Sequence, residues 1–253
     1  VGTQRLDLYS LAFSKPKFTE NTLKILKRAK ELNPKLRTFE YIQSESGRTD
    51  FTYNGDHAHL NSDGSWEGST ADLSGSTRIY TYQQICDWLD YFKDTGTDGI
   101  FFDDWGYDFA KEDICYQFQW DPDEFESKND ALNKKWIMLI EACHTRGLFL
   151  ITNGGMPFSV GDWYTYLDEN DIICLESCMI SSAGDTWQMG QKSIYNYYAN
   201  WYSNGKCKAK IWSQNYFPSD AESCKEEVLT YLCAMTYACG GHYISMGTFR
   251  CIE

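Results

Sequence analysis

The sequence has few positive charges, no long apolar run and none of the common nucleotide-binding motifs. Its 253 residues include 23 Lys and Arg against 36 Asp and Glu, a formal net charge of −13. This balance argues against nucleic acid or an anionic membrane as the main partner. No run reaches the roughly 18 consecutive apolar residues of a membrane-spanning helix, so we expect no membrane insertion. Neither G-x-G-x-x-G nor G-x-x-x-x-G-K-[ST] occurs, which leaves dinucleotide and P-loop sites without support.

Cysteine, in contrast, is plentiful, but its spacing does not suggest a metal site. The ten cysteines form an even set without a C-x-x-C pair, which disfavours a zinc ribbon or a redox motif. Several disulfides formed in an oxidising compartment would account for them. Free thiols that serve as small core residues are the alternative, especially for Cys233 and Cys239, which lie in an apolar helical pattern.

Strand and helix patterns alternate along the chain. Apolar residues at helical spacing predict helices over 19–34 and 81–96. Residues 121–146 are predicted to form a long helix with acids in its first turns, which suits the helix dipole. The predicted strands are 5–13, 35–43, the first half of 96–109, 148–155, 171–179, 209–217 and 242–247. Such alternation implies parallel strands joined by right-handed crossovers. Seven units in about 250 residues favour a (β/α)8 TIM-type barrel, one domain over residues 1–253. The eighth strand lies upstream of Val1 or in the polar segment 44–80.

Two predicted strands end in an acid directly after an apolar run. The stretch "GIFFDD" ends in Asp103 and Asp104, and "DIICLE" ends in Glu176. A carboxylate at the end of a buried strand is costly unless it is paired or used, and functional side chains of parallel barrels emerge at the carboxyl ends of strands. Two such carboxylates can cleave a glycosidic bond, one as proton donor and the other as nucleophile or base. For each acid alone, a structural ion pair or a helix cap is the alternative.

Other predicted strand ends and loops supply polar and aromatic side chains suited to a sugar. A site for a polysaccharide or oligosaccharide would combine flat aromatic rings, which stack on the sugar, with a few polar groups that bind its hydroxyls. The candidate substrate-binding residues are Asp7, Tyr41, Trp66, Asp104, Trp105, Asn153 and Tyr216. Trp66 and Trp105 are the predicted stacking platforms.

Asp98 precedes the apolar run of its strand, so we predict that it has a structural role. The sequence "HAH" (57–59) offers two imidazoles but no evident third ligand for zinc. We therefore expect neither a metal nor a cofactor, although a metal-dependent hydrolase is a further possibility.

The ordered motifs resemble those of the polygalactosaminidase-type glycoside hydrolases, family 114, and related extracellular glycosidases. The segments that carry this resemblance are "FEYIQ" (39–43), "GTDGIFFDD" (96–104), "LITNGG" (150–155) and "CLES" (174–177). The resemblance covers about residues 5 to 247. Carried over by position, the family's aspartate falls on Asp103 and its glutamate on Glu176, while Asp104 stands where the family commonly has asparagine.

The resemblance implies a secreted, endo-acting glycosidase on a TIM-type barrel that needs no cofactor. Its substrate would be a polysaccharide, with amino-sugar-rich polymers among the candidates. The family's first strand has no counterpart here, which places the eighth strand upstream of Val1. A non-catalytic carbohydrate-binding or structural protein on the same barrel is the alternative, because one fold can host unrelated functions.

Overall fold

The structure is a computed structural model, in which the chain forms two compact units. Residues Val1–Phe149 form unit 1 and Leu150–Glu253 form unit 2. The described residues are 20–43, 59–60, 66–67, 81–103, 105, 110–153, 160–176, 188–217 and 226–248.

Strands and helices alternate along both units. The strands are β1 (Phe39–Gln43), β2 (His59–Leu60), β3 (Trp66–Glu67), β4 (Gly99–Asp103), β5 (Phe149–Thr152), β6 (Ile172–Leu175), β7 (Lys210–Phe217) and β8 (Tyr243–Thr248). The α-helices are α1 (Glu20–Leu32), α2 (Tyr82–Asp94), α3 (Lys111–Phe118), α4 (Lys128–His144), α5 (Gln188–Tyr197) and α6 (Glu226–Ala238). Turns of 3-10 helix span Pro122–Glu124 and Trp163–Tyr166, and a π-helical turn spans Tyr198–Tyr202.

All strand pairs of the main sheet for which a register is defined are parallel. In unit 1, β1 pairs with β4, and Gln43 lies opposite Asp103. Strand β5 contains the unit boundary, and its first residue, Phe149, donates its backbone N–H to the carbonyl of Asp98 at 3.0 Å. In unit 2, β6 pairs with β5 and β7, and β8 pairs with β7. The hydrogen-bonded strand order is therefore β1-β4-β5-β6-β7-β8.

This alternation of parallel strands and helices confirms the α/β architecture predicted from the sequence. The eight-stranded barrel, its upstream strand and the single domain stay predictions. Within the polar segment 44–80, the described pieces are β2 and β3, which pair antiparallel with each other, so neither is the missing parallel strand. Of the helices that the structure describes, none has the length and apolarity that crossing a membrane requires.

The helix predicted over 121–146 is in fact two elements. Pro122–Glu124 forms a 3-10 turn, and α4 begins only at Lys128. The cause is a capping box in which Ser127 donates its backbone N–H to Asp130 Oδ2 at 2.9 Å and accepts from the Asp130 N–H. Such a box satisfies N–H groups that the first helical turn leaves unpaired. The prediction used acids near residue 121 as the helix start and was wrong by about two turns.

Buried or half-buried aspartates fix the backbone at the amino ends of two strands. Asp98, just before β4, accepts the Thr38 backbone N–H at 2.7 Å and the Thr38 hydroxyl at 3.1 Å. It also forms an ion pair with Lys30 at 2.8 Å. In unit 2, Asp171 precedes β6 and accepts the Leu150 backbone N–H at 2.9 Å. The structural role predicted for Asp98 is confirmed, and Asp171 plays the same part on another strand.

The disulfide prediction finds no support among the described residues. All seven described cysteines are free thiols. Five of them are buried, in keeping with the alternative that thiols serve as small core residues: Cys86, Cys115, Cys143, Cys174 and Cys207. Cys233 is exposed, however, and Cys239 is only half-buried, so that alternative fails for Cys233, one of the two residues for which it was considered. Cys178, Cys224 and Cys251 lie outside the described residues.

Candidate functional site

Unit 2 presents a row of mostly polar side chains on one face of its parallel strands. Cys174 lies opposite Trp212, and Gln214 lies opposite Ser245. Because alternate residues of a strand share a face, Trp212 and Gln214 point to the same side as their partners Cys174 and Ser245. We call these four residues, together with Asn153 and Glu176 directly after β5 and β6, the polar face.

The end of β5 and the end of β6 are joined by a side-chain hydrogen bond. Asn153 Nδ2 donates to Glu176 Oε2 at 2.8 Å. Asn153 is buried, with 5% of its surface exposed, whereas Glu176 is exposed. A buried amide with little freedom to rotate therefore orients a carboxylate that solvent reaches. The structure brings these two predicted site residues into direct contact.

The centre of the polar face has two further side-chain contacts. The thiol of Cys174 donates to Gln214 Oε1 at 3.3 Å, a weak bond of a buried sulfur. The indole Nε1 of Trp212 donates to the Ser245 hydroxyl at 2.8 Å. Gln214, Trp212 and Ser245 are all half-buried. These contacts fix the orientation of an amide and an indole of the polar face.

The opposite face of β7 is polar for a different reason. Ser213 and Asn215 are both fully buried, and Asn215 Nδ2 donates to Ser213 Oγ at 3.1 Å. Buried polar groups need such partners, and this pair satisfies them within the core. The two faces of β7 thus separate an internally bonded core pair from a partly exposed row.

In unit 1, Asp103 is the last residue of β4. It is half-buried and lies opposite Gln43. The residue before it, Phe102, is fully buried, and Phe101 stacks on Phe39 with ring centroids 6.1 Å apart. An apolar strand therefore ends in a partly accessible carboxylate, which is the local arrangement predicted from the sequence. Its role in catalysis stays a prediction.

Trp105 does not fit the predicted stacking platform. Its side chain is fully buried, its ring stacks on Trp136 at a centroid distance of 6.2 Å, and it is tilted against Phe102 at 5.5 Å. Its carbonyl also accepts the Trp136 Nε1–H. Position after a strand-end acid suggested an exposed ring, but the chain directs this indole into the core of unit 1.

Several predicted residues are not described, or are described only in part. Asp7 and Asp104 lie outside the described residues. Tyr41, Trp66 and Tyr216 lie in β1, β3 and β7, respectively, but their side chains are outside the description. Their contributions to a substrate site stay predictions.

Glu40 in β1 is a buried acid that is not among the residues predicted from the sequence. It is 6% exposed and lies opposite Ile100. Burial raises the pKa of its carboxyl from 4.5 to about 8, so the side chain is protonated at neutral pH. The alternation of β1 places it on the face of Ile42, whereas Asp103 shares the other face with Phe101. The sequence "FEYIQ" contains part of this signal, because Glu40 is the one acid of a strand that is otherwise aromatic, apolar or uncharged.

Trp212, on the polar face, is not among the residues that the sequence predicts for the site. In "KIWSQNYF" it alternates with Gln214, which assigns both residues to one side of the strand. The residue predicted for the site on this strand is Tyr216, near the strand end, and Trp212 lies four positions earlier. Applying the strand period across the whole of β7 would have selected it.

The sequence matches no protein-family model and no curated protein. Among solved structures, Aspergillus fumigatus Ega3 in complex with galactosamine is similar to this chain, with 14% identity and a TM-score of 0.46 over 90% of this chain and 79% of that one. The apo form of 3-keto-D-glucoside 4-epimerase, YcjR, from E. coli is similar with 10% identity and a TM-score of 0.35 over 90% and 76% of the two chains. At TM-scores below 0.5, neither likeness assigns a family or an activity.

Proposed function

We propose that this protein is a glycoside hydrolase that cleaves a polysaccharide or oligosaccharide, with Asp103 and Glu176 as its catalytic carboxylates. The observation that carries the proposal is the Asn153–Glu176 hydrogen bond. A carboxylate that serves only solubility does not require a fixed orientation, whereas the buried Asn153 amide orients the Glu176 carboxylate. Asp103 adds a second partly accessible carboxylate at the end of an apolar strand, and the motif resemblance selects these same two acids.

Glycosidic cleavage divides the chemistry between two carboxyl groups. The protonated one transfers its proton to the leaving glycosidic oxygen as the C–O bond breaks. The ionised one attacks the anomeric carbon, or removes a proton from the water that attacks it. In either case water supplies the hydroxyl of the new reducing end, and the proton balance closes without a cofactor.

Substrate recognition would combine Asn153 with residues at the other strand ends. In this proposal Tyr41, Tyr216, Asp7 and Asp104 bind sugar hydroxyls or amino groups, and Trp66 stacks on a sugar ring. The net charge of −13 suits a cationic, amino-sugar-rich polymer. Secretion, endo-action and the complete (β/α)8 barrel belong to the same proposal and rest on the motif resemblance.

Isosteric variants test the proposal. Wild type, Asp103→Asn and Glu176→Gln are incubated with a panel of polysaccharides, and both reducing-end release and binding are measured. The proposal predicts cleavage of at least one polymer by the wild type, with cleavage lost and binding kept in both variants. Binding without cleavage by the wild type across the panel would instead support a non-catalytic carbohydrate-binding protein.

Activity measured with and without a chelator tests a third possibility, a metal-dependent hydrolase. A metal-dependent hydrolase would lose activity in EDTA and regain it with added metal. The two-carboxylate account predicts an unchanged rate.

A further inference from the structure

We propose that Trp212 is the sugar-stacking residue of the polar face, and that Ser245 is the residue that positions its indole. This inference rests on the proposed carbohydrate site, but it concerns binding and does not require hydrolysis. Trp212 takes the role that sequence reasoning gave to Trp105, whose ring is buried in unit 1.

The strand register brings Trp212 close to the proposed catalytic glutamate. Trp212 lies opposite Cys174 on the neighbouring strand, and Glu176 follows two residues later, directly after the end of β6. With strands about 4.8 Å apart and about 3.3 Å per residue, an extended chain up to Glu176 would put its Cα atom about 8 Å from that of Trp212. That diagonal is within reach of an indole and a glutamate side chain that contact one bound sugar unit.

The Ser245 contact determines what the indole can offer a ligand. Nε1–H is the only polar donor of tryptophan, and it is already bonded to the Ser245 hydroxyl at 2.8 Å. Trp212 is also half-buried, so part of its surface reaches solvent. A ligand therefore meets a flat apolar ring whose orientation is held, and no competing indole donor.

The neighbouring groups supply the polar half of a sugar site. Glu176 offers a carboxylate directly after β6, and Gln214 offers an amide on the face of Trp212. The Cys174 thiol bond to Gln214 Oε1 at 3.3 Å directs the amide oxygen toward the sulfur and turns the NH2 group away from it. A pyranose ring has an apolar C–H face and a rim of hydroxyls, which matches an apolar wall with few polar anchors.

Binding is measured by calorimetry in a Glu176→Gln background, so that a bound chain is not cleaved. The probes are oligosaccharides of galactosamine, glucosamine, N-acetylglucosamine and glucose. Trp212→Leu keeps apolar bulk but removes the flat ring, and it should weaken binding by at least about tenfold. Trp212→Phe keeps a ring and should recover part of the loss. Trp201→Leu, a change of another half-buried tryptophan of unit 2, is the matched control and should leave affinity unchanged.

Ser245 is tested as a positioning residue through the indole itself. Ser245→Ala should weaken binding by about threefold and reduce the change in tryptophan fluorescence on binding. Ser245→Thr keeps the hydroxyl and should restore both. A purely structural serine would leave the fluorescence change per bound ligand unaltered. Circular dichroism and thermal midpoints show whether each variant is folded. If Trp212→Leu does not fold, the affinity of Trp212→Phe is the test instead.

Several results would overturn the inference. Unchanged affinity in Trp212→Leu would do so, as would an equal loss in Trp201→Leu or the absence of binding to every probe. Failure of the proposed hydrolase activity is a separate outcome: wild type that binds through Trp212 but releases no reducing ends leaves the inference standing and removes the catalytic role.

Discussion

Asn153 and Glu176 are joined end to end across two parallel strands: the amide after β5 donates to the carboxylate after β6 at 2.8 Å. The donor is buried and the acceptor is exposed, so the bond fixes the direction of a group that solvent and substrate can reach. We therefore interpret Asn153 as a positioning residue for Glu176.

Replacing Asn153 by Ala should lower kcat by about 10- to 100-fold, because a small misplacement of a catalytic group is costly. KM should change less, and steady-state kinetics separate the two. Asn215→Ala is the matched control, since it removes a buried amide from the other face of the same sheet. It should lower stability while leaving kcat per folded molecule intact. Equal kcat in Asn153→Ala and wild type would contradict the assignment.

The raised pKa of Glu40 should make the free energy of unfolding depend on pH. Its pKa is 4.5 in the unfolded chain and about 8 in the folded protein because of burial. Between these values the folded state binds more protons, so the Glu40 contribution to the free energy of unfolding falls as pH rises from about 4.5 to about 8, and it is constant above. The span corresponds to on the order of 5 kcal/mol.

The variant Glu40→Gln has a neutral side chain of the same shape at every pH. It should be close to wild type near pH 4, and more stable than wild type by several kcal/mol near pH 9. Urea unfolding at a series of pH values measures this difference. A constant difference across the series would show that Glu40 does not titrate as described.

Trp105 should behave as a core residue. Trp105→Ala should destabilise unit 1 by about 3–5 kcal/mol, the usual cost of removing a buried aromatic. The milder Trp105→Phe should keep sugar affinity per folded molecule. Tyr116→Ala, at a position that is 67% exposed, should change stability by no more than about 0.5 kcal/mol. If Trp105→Phe stays as stable as wild type and loses sugar binding, the ring is a ligand platform after all.

Asp98 should contribute to stability and not to activity. Asp98→Ala removes the acceptor of the Thr38 N–H and hydroxyl and the partner of Lys30, so we expect a loss of about 2 kcal/mol. Both kcat and KM should stay at wild-type values at a temperature where the variant is folded. The exposed Asp94 provides the control, and its alanine variant should be neutral. A selective loss of kcat in Asp98→Ala would refute the structural role.

The sequence was sufficient where one physical rule acts alone. Amphipathic spacing located α1 and α2 closely, and apolar runs located β4 and β6. Helix α3 was missed because acids and aromatics mix in Lys111–Phe118, which obscures the helical period. The start of α4 depended on a cap rather than on acidic composition.

Site residues were harder to predict because direction matters more than position. Asn153 and Glu176 were selected because they follow predicted strands, where parallel strands place functional groups, and the structure brings their side chains into contact. Their role in a substrate site stays a prediction. The burial of Trp105 could not be predicted, because its position after β4 does not show that its ring packs on Trp136 in the core of unit 1. The raised pKa of Glu40 depends on the burial created by distant segments.

The most direct test of the central claim is a double-mutant cycle on reducing-end release. Rates are compared for wild type, Asp103→Asn, Glu176→Gln and the double variant on one polysaccharide at matched folded concentration. The account predicts that each single variant loses about 100- to 10,000-fold. The rate of the double variant should be no lower than that of the slower single variant, because the two groups act in one step. Wild-type rates in either single variant, or losses that multiply in the double variant, would contradict a shared catalytic role.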